Sequence, residues 1–204
     1  MKIKISNKVI SENSKTYFIA DIGANHDGSI KRAKKLIKLA ALSGADAAKF
    51  QHFKAETIVN KEIFDKQKKT AHQAKWKTSV FDIYKKASIN NKWNKILKNE
   101  YKKFNIHFLT SPYDLDYINK VNKFIPAFKI GSGDITWEEA LVKISEKKKP
   151  VILATGASSM KDVLNASKKI LRINKQLILM QCNTNYTTEE NNFKFININV
   201  LKTS

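Results

Sequence analysis

The order of segments constrains this chain more than anything else in it. From Tyr17 onward, short apolar, β-branched stretches alternate with stretches of helical periodicity. Strands are predicted over 17–22, 45–50, 106–110, 127–130, 150–154 and 177–182, each followed by a helix or the start of one. The helices fall over 29–43, 79–87 with 93–104, 115–123, 137–147 and 160–173, and one more begins after Asn191. Strict βα alternation with strands apolar on both faces requires a parallel sheet covered by helices. Two α/β architectures satisfy it: an open doubly wound sheet, or a TIM (β/α)8-barrel represented by about six βα units. The Gly-x-Gly-x-x-Gly turn of a dinucleotide site does not follow the first strand, and Gly131-Ser132-Gly133 is only a fragment of it.

Local signals agree with this frame. Helix 29–43 carries Ile30, Ala33, Leu36, Ile37 and Ala40 on one face, and Gly44 stands where a C-terminal cap glycine belongs. Pro126 and Pro150 sit at strand entrances, where a missing N–H is tolerated. Residues 52–77 are polar and lysine-rich and read as a long, irregular insertion. Residues 2–10 and 16–20 are β-rich, with a turn-like 11–14 between them. They predict an N-terminal β-hairpin segment over 1–16, leading into a domain over 17–204.

Composition narrows the class. With 42% hydrophobic residues, six Gly and three Pro, the chain is globular, neither disordered nor low in complexity. The single Cys182 cannot form an internal disulfide, so a reducing, cytoplasmic setting is expected. No apolar run approaches the roughly 20 residues that span a bilayer, and the first ten residues lack a signal-peptide core. The formal net charge is +20, from 38 Lys plus Arg against 18 Asp plus Glu. Only Arg32 and Arg172 are arginines, and the lysines are spread along the chain. Base readout favours arginine, so the charge reads as solvated helix surface, and neither a nucleic-acid nor a membrane partner is expected.

The residues that end the strands carry the chemistry. Asp21, Asn25, His26 and Asp27 follow the first strand; Lys49, Gln51 and His52 end the second; Thr110, Ser111 and Pro112 end the third. Lys129, Ser132 and Asp134 follow the fourth, Thr155, Gly156, Ser158 and Ser159 the fifth, and Gln181, Asn183, Asn185 and Tyr186 the sixth. Barrel enzymes place catalytic groups at such ends, which predicts that they face one pocket. Helix capping and wet loops account for Asp27, Asp114 and Ser159. They do not account for Lys49 and Lys129, each inside an apolar strand where an ammonium is costly without a partner. Two such lysines with Ser111, Ser132 and Thr155 suit a small anion bearing phosphate and carboxylate. His26 and His52 with Asp21 could be taken for metal ligands, but their spacing is not diagnostic. His72 and His107, with Trp76, Trp93 and Trp137, read as packing or surface residues, and Cys182 as a buried, inert thiol.

Six motifs in register carry a family resemblance. Ile19-Ala-Asp-Ile-Gly-Ala-Asn-His-Asp-Gly28 and Gly44-Ala-Asp-Ala-Ala-Lys-Phe-Gln51 resemble the start of sialic acid synthases. Phe108-Leu-Thr-Ser-Pro-Tyr113, Phe128-Lys-Ile-Gly-Ser-Gly-Asp134, Ile152-Leu-Ala-Thr-Gly156 and Gln181-Cys-Asn-Thr-Asn-Tyr186 resemble successive later signatures. The resemblance implies a TIM barrel that condenses phosphoenolpyruvate with an N-acetylated amino sugar such as N-acetylmannosamine, releasing phosphate. It implies that Lys49, Ser111 and Lys129 hold the donor carboxylate, with Lys129 also near the phosphate, where Ser132 contributes; Thr155 is a further substrate-binding candidate. Gln51, Asp134 and Tyr186 fall on the acceptor side, and Asn183 is a further substrate-binding candidate. Asp21 stands where the family has Glu, as an acid/base or water-positioning group. A divalent cation, Mn²⁺ or Mg²⁺, is implied as a Lewis acid on the aldehyde, and a homodimer for the full-length form. In the family pattern the cation's histidines come from strands seven and eight, beyond position 204, so no metal ligand is assigned to these residues. Three positions depart from the pattern: Ala154 replaces a serine, Gln181 a histidine, and Lys75 lies near where an asparagine is common. The alternative expectation is a truncated, inactive chain that retains an anion-binding pocket.

Overall fold

The computed structural model describes residues 2–66, 78–184, 189, 192 and 197–203. The chain divides into two compact units, Tyr17–Ile125 and Met1–Thr16 with Pro126–Ser204.

The second of these units opens with an antiparallel hairpin, β1 (Ile3–Ile5) and β2 (Lys8–Ile10), with Ile3 opposite Ile10 and Ile5 opposite Lys8. Ile3 and Ile5 are buried. The hairpin closes inside residues 3–10, at Ser6–Asn7, and does not pair 2–10 with 16–20. The reason is local: Ser6 adopts a φ of 53°, the positive value that a two-residue connection needs. Ser-Asn announces such a turn less loudly than Asn-Gly. The 11–14 stretch is a self-contained turn, in which the Ser11 N–H donates to Ser14 Oγ at 2.9 Å and the Ser14 hydroxyl to Ser11 O at 2.9 Å.

Unit Tyr17–Ile125 carries three parallel strands in sequence order, β3 (Ile19–Gly23), β4 (Ala47–His52) and β5 (His107–Pro112). The register sets Asp21 opposite Lys49 and Gln51 opposite Ser111. Helix α1 (Ile30–Leu42) starts at Ser29, whose side chain accepts from the Arg32 N–H, and Gly44 follows its end at a φ of +82°. Helices α2 (Ala55–Ile58) and α3 (Lys61–Lys66) occupy the start of the stretch that reads as irregular in sequence. One or two turns are too short to register as a 3.6-residue period. Helices α4 (Val80–Ala87), α5 (Trp93–Lys103) and α6 (Leu115–Asn122) complete the unit. Phe50 packs edge-to-face on Phe108 and on Tyr101 of α5, and Leu109, Ile37 of α1, Leu97 of α5 and Ile118 of α6 are buried with them at no more than 1% exposure. Tyr101 stacks on Phe108 with ring centroids 4.6 Å apart, and its hydroxyl donates to Ala48 O at 2.8 Å.

Residues after Pro126 repeat the pattern with β6 (Phe128–Ile130), a 3-10 turn (Ser132–Asp134), α7 (Glu138–Ser145), β7 (Val151–Ala154), α8 (Met160–Ile173) and β8 (Leu177–Met180). These strands too are parallel and in sequence order, with Phe128 opposite Val151 and Val151 opposite Leu177. Helix α8 has a capping box, Ser159 and Asp162 each satisfying the other's backbone N–H. Helix α9 (Asn197–Thr203) is the additional helix expected after Asn191. Among the described residues no helix is long and apolar enough to cross a membrane.

Candidate active site

The Lys49 side chain lies within β4 and is 7% exposed, yet its ammonium is not alone. Its Nζ stands 3.0 Å from Asp21 Oδ2 on the neighbouring strand, the residue opposite it in register. The interior lysine that the sequence leaves unexplained is therefore an aliphatic stem in the core, with a charged tip held at the strand ends by a solvent-facing carboxylate. Gly23, at a φ of +57°, leaves room beside them. A Cβ there would lie 3.5 Å from Gln51 Oε1 and 3.7 Å from Asp21 Oδ1.

Gln51 donates through Nε2 to the Tyr113 hydroxyl at 3.2 Å. Ser111, opposite Gln51 in register, is 2% exposed, and its Oγ has no hydrogen-bond partner among the described residues. Burying an unsatisfied hydroxyl costs on the order of 1–3 kcal/mol. Such a group at a strand end is free to bond an ordered water or a ligand. Tyr113 is the residue that site assignment from sequence passes over. Its signal was its position, two residues after Ser111 at the mouth of β5.

In the other unit, Lys129 Nζ donates to Ile130 O at 2.8 Å. Ser132 Oγ accepts the Gly156 N–H at 3.0 Å, which ties the turn after β6 to the turn after β7. Gly156 is required there: a Cβ would meet Thr184 Cγ2 at 2.8 Å, Cys182 O at 2.9 Å and Ser132 Oγ at 3.1 Å. Burial holds the Asp134 carboxyl above its ordinary range, and Lys129 offsets part of that rise. The Thr155 hydroxyl donates to Met180 O at 2.9 Å, so it fixes the neighbouring strand end. Asn183 donates to Asn192 O at 3.1 Å. A cavity of about 520 Å³ is lined here by Thr155, Gly156, Ser158, Cys182 and Asn183 with Leu201 of α9. Tyr186, Asn185, Lys75, Trp76 and His72 lie outside the described residues.

The histidines are engaged elsewhere. His52 is fully buried, with Nδ1 2.7 Å from Thr110 Oγ1 and Nε2 2.7 Å from Asn94 Oδ1, and burial lowers its pKa to about 4. His26 is fully buried with its ring edge-on to Phe50 and Trp93. Its Nδ1 accepts the Gly28 N–H, and burial lowers its pKa. His107 Nδ1 lies 2.7 Å from the Tyr17 hydroxyl. Among the described residues, no group of three or more His, Cys, Asp or Glu side chains is arranged to hold a metal ion. His52 has both nitrogens occupied, Asp21 is paired to Lys49, and His26, whose Nε2 is buried without a partner among the described residues, is packed edge-on to Phe50 and Trp93, so these residues do not fit the divalent cation.

Parallel βα units with lysines, hydroxyls and carboxylates at the strand ends define an α/β protein of the TIM-barrel type. The NeuB family matches residues 36–204, and the chain belongs to that family. An N,N'-diacetyllegionaminic acid synthase from Campylobacter jejuni is 36% identical over 179 residues, covering 84% of this chain and 52% of that protein. The N-acetylneuraminate-9-phosphate synthase of Mus musculus is 27% identical over 173 residues, covering 83% of this chain and 47% of that one. The chain thus spans about half the length of the curated relatives it matches. Among solved structures, an N-acetylneuraminic acid (sialic acid) synthetase from Leptospira borgpetersenii in complex with citrate superposes with a TM-score of 0.85. It is 28% identical, and the match covers 100% of this chain and 66% of that one.

Proposed function

We propose that the chain carries the donor-binding chemistry of a nonulosonic acid synthase, joining phosphoenolpyruvate to the open-chain aldehyde of an N-acetylated amino sugar. The observation that carries this reading is the Lys49–Asp21 pair at the strand ends beside the unpartnered Ser111 hydroxyl. An ammonium with a buried stem and a solvent-facing counter-ion can exchange that carboxylate for a substrate anion without a new burial cost.

C3 of the enol phosphate attacks the aldehyde carbon, a C–C bond forms, and the carbonyl oxygen takes a proton. Water adds at C2 and loses a proton. The C–O bond to phosphate then breaks, leaving a 2-keto acid and inorganic phosphate. Lys49 and Lys129 supply positive charge to the three-carbon donor. Asp21, once Lys49 turns to substrate, is the carboxylate suited to orient the water and accept its proton. Asp134, whose carboxyl burial raises, is suited to protonate the new alkoxide. Gln51, Asn183 and Tyr186 are assigned to the acceptor, and Ser132 and Thr155 to the phosphate side. The setting proposed is cytoplasmic, the partners are the two small molecules, and the full-length form is a homodimer.

The test is phosphate release from phosphoenolpyruvate with N-acetylmannosamine and Mn²⁺, for this chain and for one extended to the length of its relatives. Lys49→Ala and Lys129→Ala are each expected to weaken phosphoenolpyruvate binding about 10- to 100-fold, the worth of a hydrogen bond to a charged group. If the extended protein releases no phosphate with any N-acetylhexosamine, the synthase reading fails. Lysine-dependent binding without turnover identifies the alternative, an anion-binding chain.

A further inference from the structure

Lysines that lie scattered along the sequence are gathered by the fold of unit Tyr17–Ile125. Helices α1 and α5 pack against each other, α1 on β4 and α5 on β5. They also run the same way. His26, just before α1, is edge-on to Trp93 at the start of α5, and beyond their far ends the His107 N–H donates to Asp46 O at 2.9 Å. Each buries one stripe, Ala33, Ile37 and Ala40 on α1 and Asn94, Leu97 and Tyr101 on α5, so their opposite faces look out together. Those faces are basic. Helix α1 exposes Lys31, Lys35 and Lys38 and contains no acidic residue; α5 exposes Lys92, Lys95 and Lys102, and its one carboxylate, Glu100, is half-buried. Helices α2, α3, α4, α6 and α7, in contrast, each expose a carboxylate, such as Glu62 on α3 and Glu138 on α7. Asp27, ahead of α1, is engaged by Arg32 at 2.8 Å. Burial and the like charge of Lys102 hold the Lys98 ammonium below its ordinary range. Apolar side chains stand among the lysines: Leu42 is 70% exposed, Leu39 47% and Ile96 41%.

We propose that this two-helix face binds the surface of an anionic lipid bilayer, with the six lysines on the headgroups and Leu39, Leu42 and Ile96 entering between them. The inference goes beyond the synthase reading and does not depend on it. Charge complementarity selects an anionic partner, and the rest of the face selects among anions. Nucleic-acid recognition leans on arginine and on aromatic stacking. The face offers neither: Arg32 is taken by Asp27, α1 has no aromatic residue, and Trp93 and Tyr101 of α5 are half-buried and buried. Lysines interleaved with exposed leucine and isoleucine are instead the composition of a helix that lies on a bilayer. Each lysine close to an anionic bilayer adds about fivefold in affinity. Lys49 takes no part, because Asp21 holds its tip at the strand ends.

The experiment is co-sedimentation of the 204-residue chain with vesicles of phosphatidylcholine alone, and of phosphatidylcholine with about 30% phosphatidylglycerol. Binding is expected to the anionic vesicles only, weakening as sodium chloride rises from about 0.05 M to about 0.3 M. Lys31→Gln, Lys35→Gln and Lys38→Gln combined should weaken it about 100-fold. Leu42→Ser, which leaves the charge unchanged, should weaken it about tenfold, and this arm decides the matter if the triple variant does not fold. Lys4→Gln, Lys161→Gln and Lys168→Gln combined remove the same charge from exposed positions of the other unit and should leave binding nearly unchanged. An equal loss in that control set would assign the binding to net charge and overturn the face. An unchanged affinity in Leu42→Ser, or no binding to the anionic vesicles, overturns it as well. So does binding to a DNA duplex that needs the α1 lysines while vesicles are ignored, which would make the face a nucleic-acid surface.

Discussion

Burial takes both nitrogens of His52 away from water and sets Nδ1 2.7 Å from Thr110 Oγ1 and Nε2 2.7 Å from Asn94 Oδ1. The native ring therefore resists protonation down to about pH 4, whereas in an unfolded chain it titrates near pH 6.5. The unfolded state binds the extra proton between those values, so this residue's contribution is complete above about pH 6.5 and is lost as pH falls toward 4. The loss is about 3 kcal/mol, and His26, lowered by its own burial, acts in the same direction. Urea melts of wild type and His52→Gln from pH 7 to pH 4 check this. The variant should be less stable at pH 7 yet flatter across the window, and parallel curves would refute the assignment. Lys49 calls for the opposite kind of test, because its stem is core and its tip is site. Lys49→Met keeps the stem's volume and removes the charge, so the urea midpoint should move by no more than about 1 kcal/mol, while phosphoenolpyruvate binding is lost. A large destabilisation would make Lys49 a structural residue first.

At the scale of elements, capping and backbone geometry decide the outcome more than side-chain burial does. Helix α8 was legible at both ends, since Ser159 with Asp162 marks its start and Val163, Ala166 and Ile170 give one buried stripe. Ser159→Ala should cost about 1 kcal/mol, read as a shift in thermal midpoint. Gly28 matters more, because it has a φ of +75° and a Cβ there would stand 2.5 Å from the Lys86 backbone oxygen. Gly28→Ala is expected to cost at least about 2 kcal/mol, from left-handed strain plus displacement of the 86–87 backbone. A melt within 0.5 kcal/mol of wild type, as for an ordinary surface change, would show that the loop gives way freely. The same distinction explains what the sequence could reveal. Lys49 stands out because an ammonium inside an apolar strand violates a simple rule, but its pairing with Asp21 depends on a strand register that only the structure gives. The hairpin lies within 1–16 as expected, but its turn falls at Ser6–Asn7 and not at 11–14, because it rests on one residue's φ, at Ser6, with no glycine to advertise it. The Gln51–Tyr113 contact and the unpartnered Ser111 hydroxyl were not legible, since both depend on side-chain directions across neighbouring strands that no spacing rule encodes.

For the molecule as a whole, the unequal charge is the property that local pairing cannot remove. With 38 basic side chains against 18 acidic ones, at least 38 − 18 = 20 cations lack a carboxylate of their own, however the pairs are arranged. The pairs that do form are mostly at the surface, such as Arg32 with Asp27 at 2.8 Å and Lys61 with Asp65 at 2.9 Å, and exposed pairs contribute about 0–1 kcal/mol each. Self-repulsion should therefore outweigh attraction at low salt. Raising sodium chloride from about 0.01 M to about 0.15 M shortens the screening length from roughly 30 Å to roughly 8 Å, and the thermal midpoint should rise. A phosphate salt at the same ionic strength should raise it further if the lysines at the strand ends bind anions, because a ligand that prefers the folded state adds its own binding free energy. Lys49→Met should erase most of the phosphate-specific increment and leave the chloride effect in place. A midpoint that falls with chloride would mean that attractive pairs, and not the net charge, govern the stability of this fold.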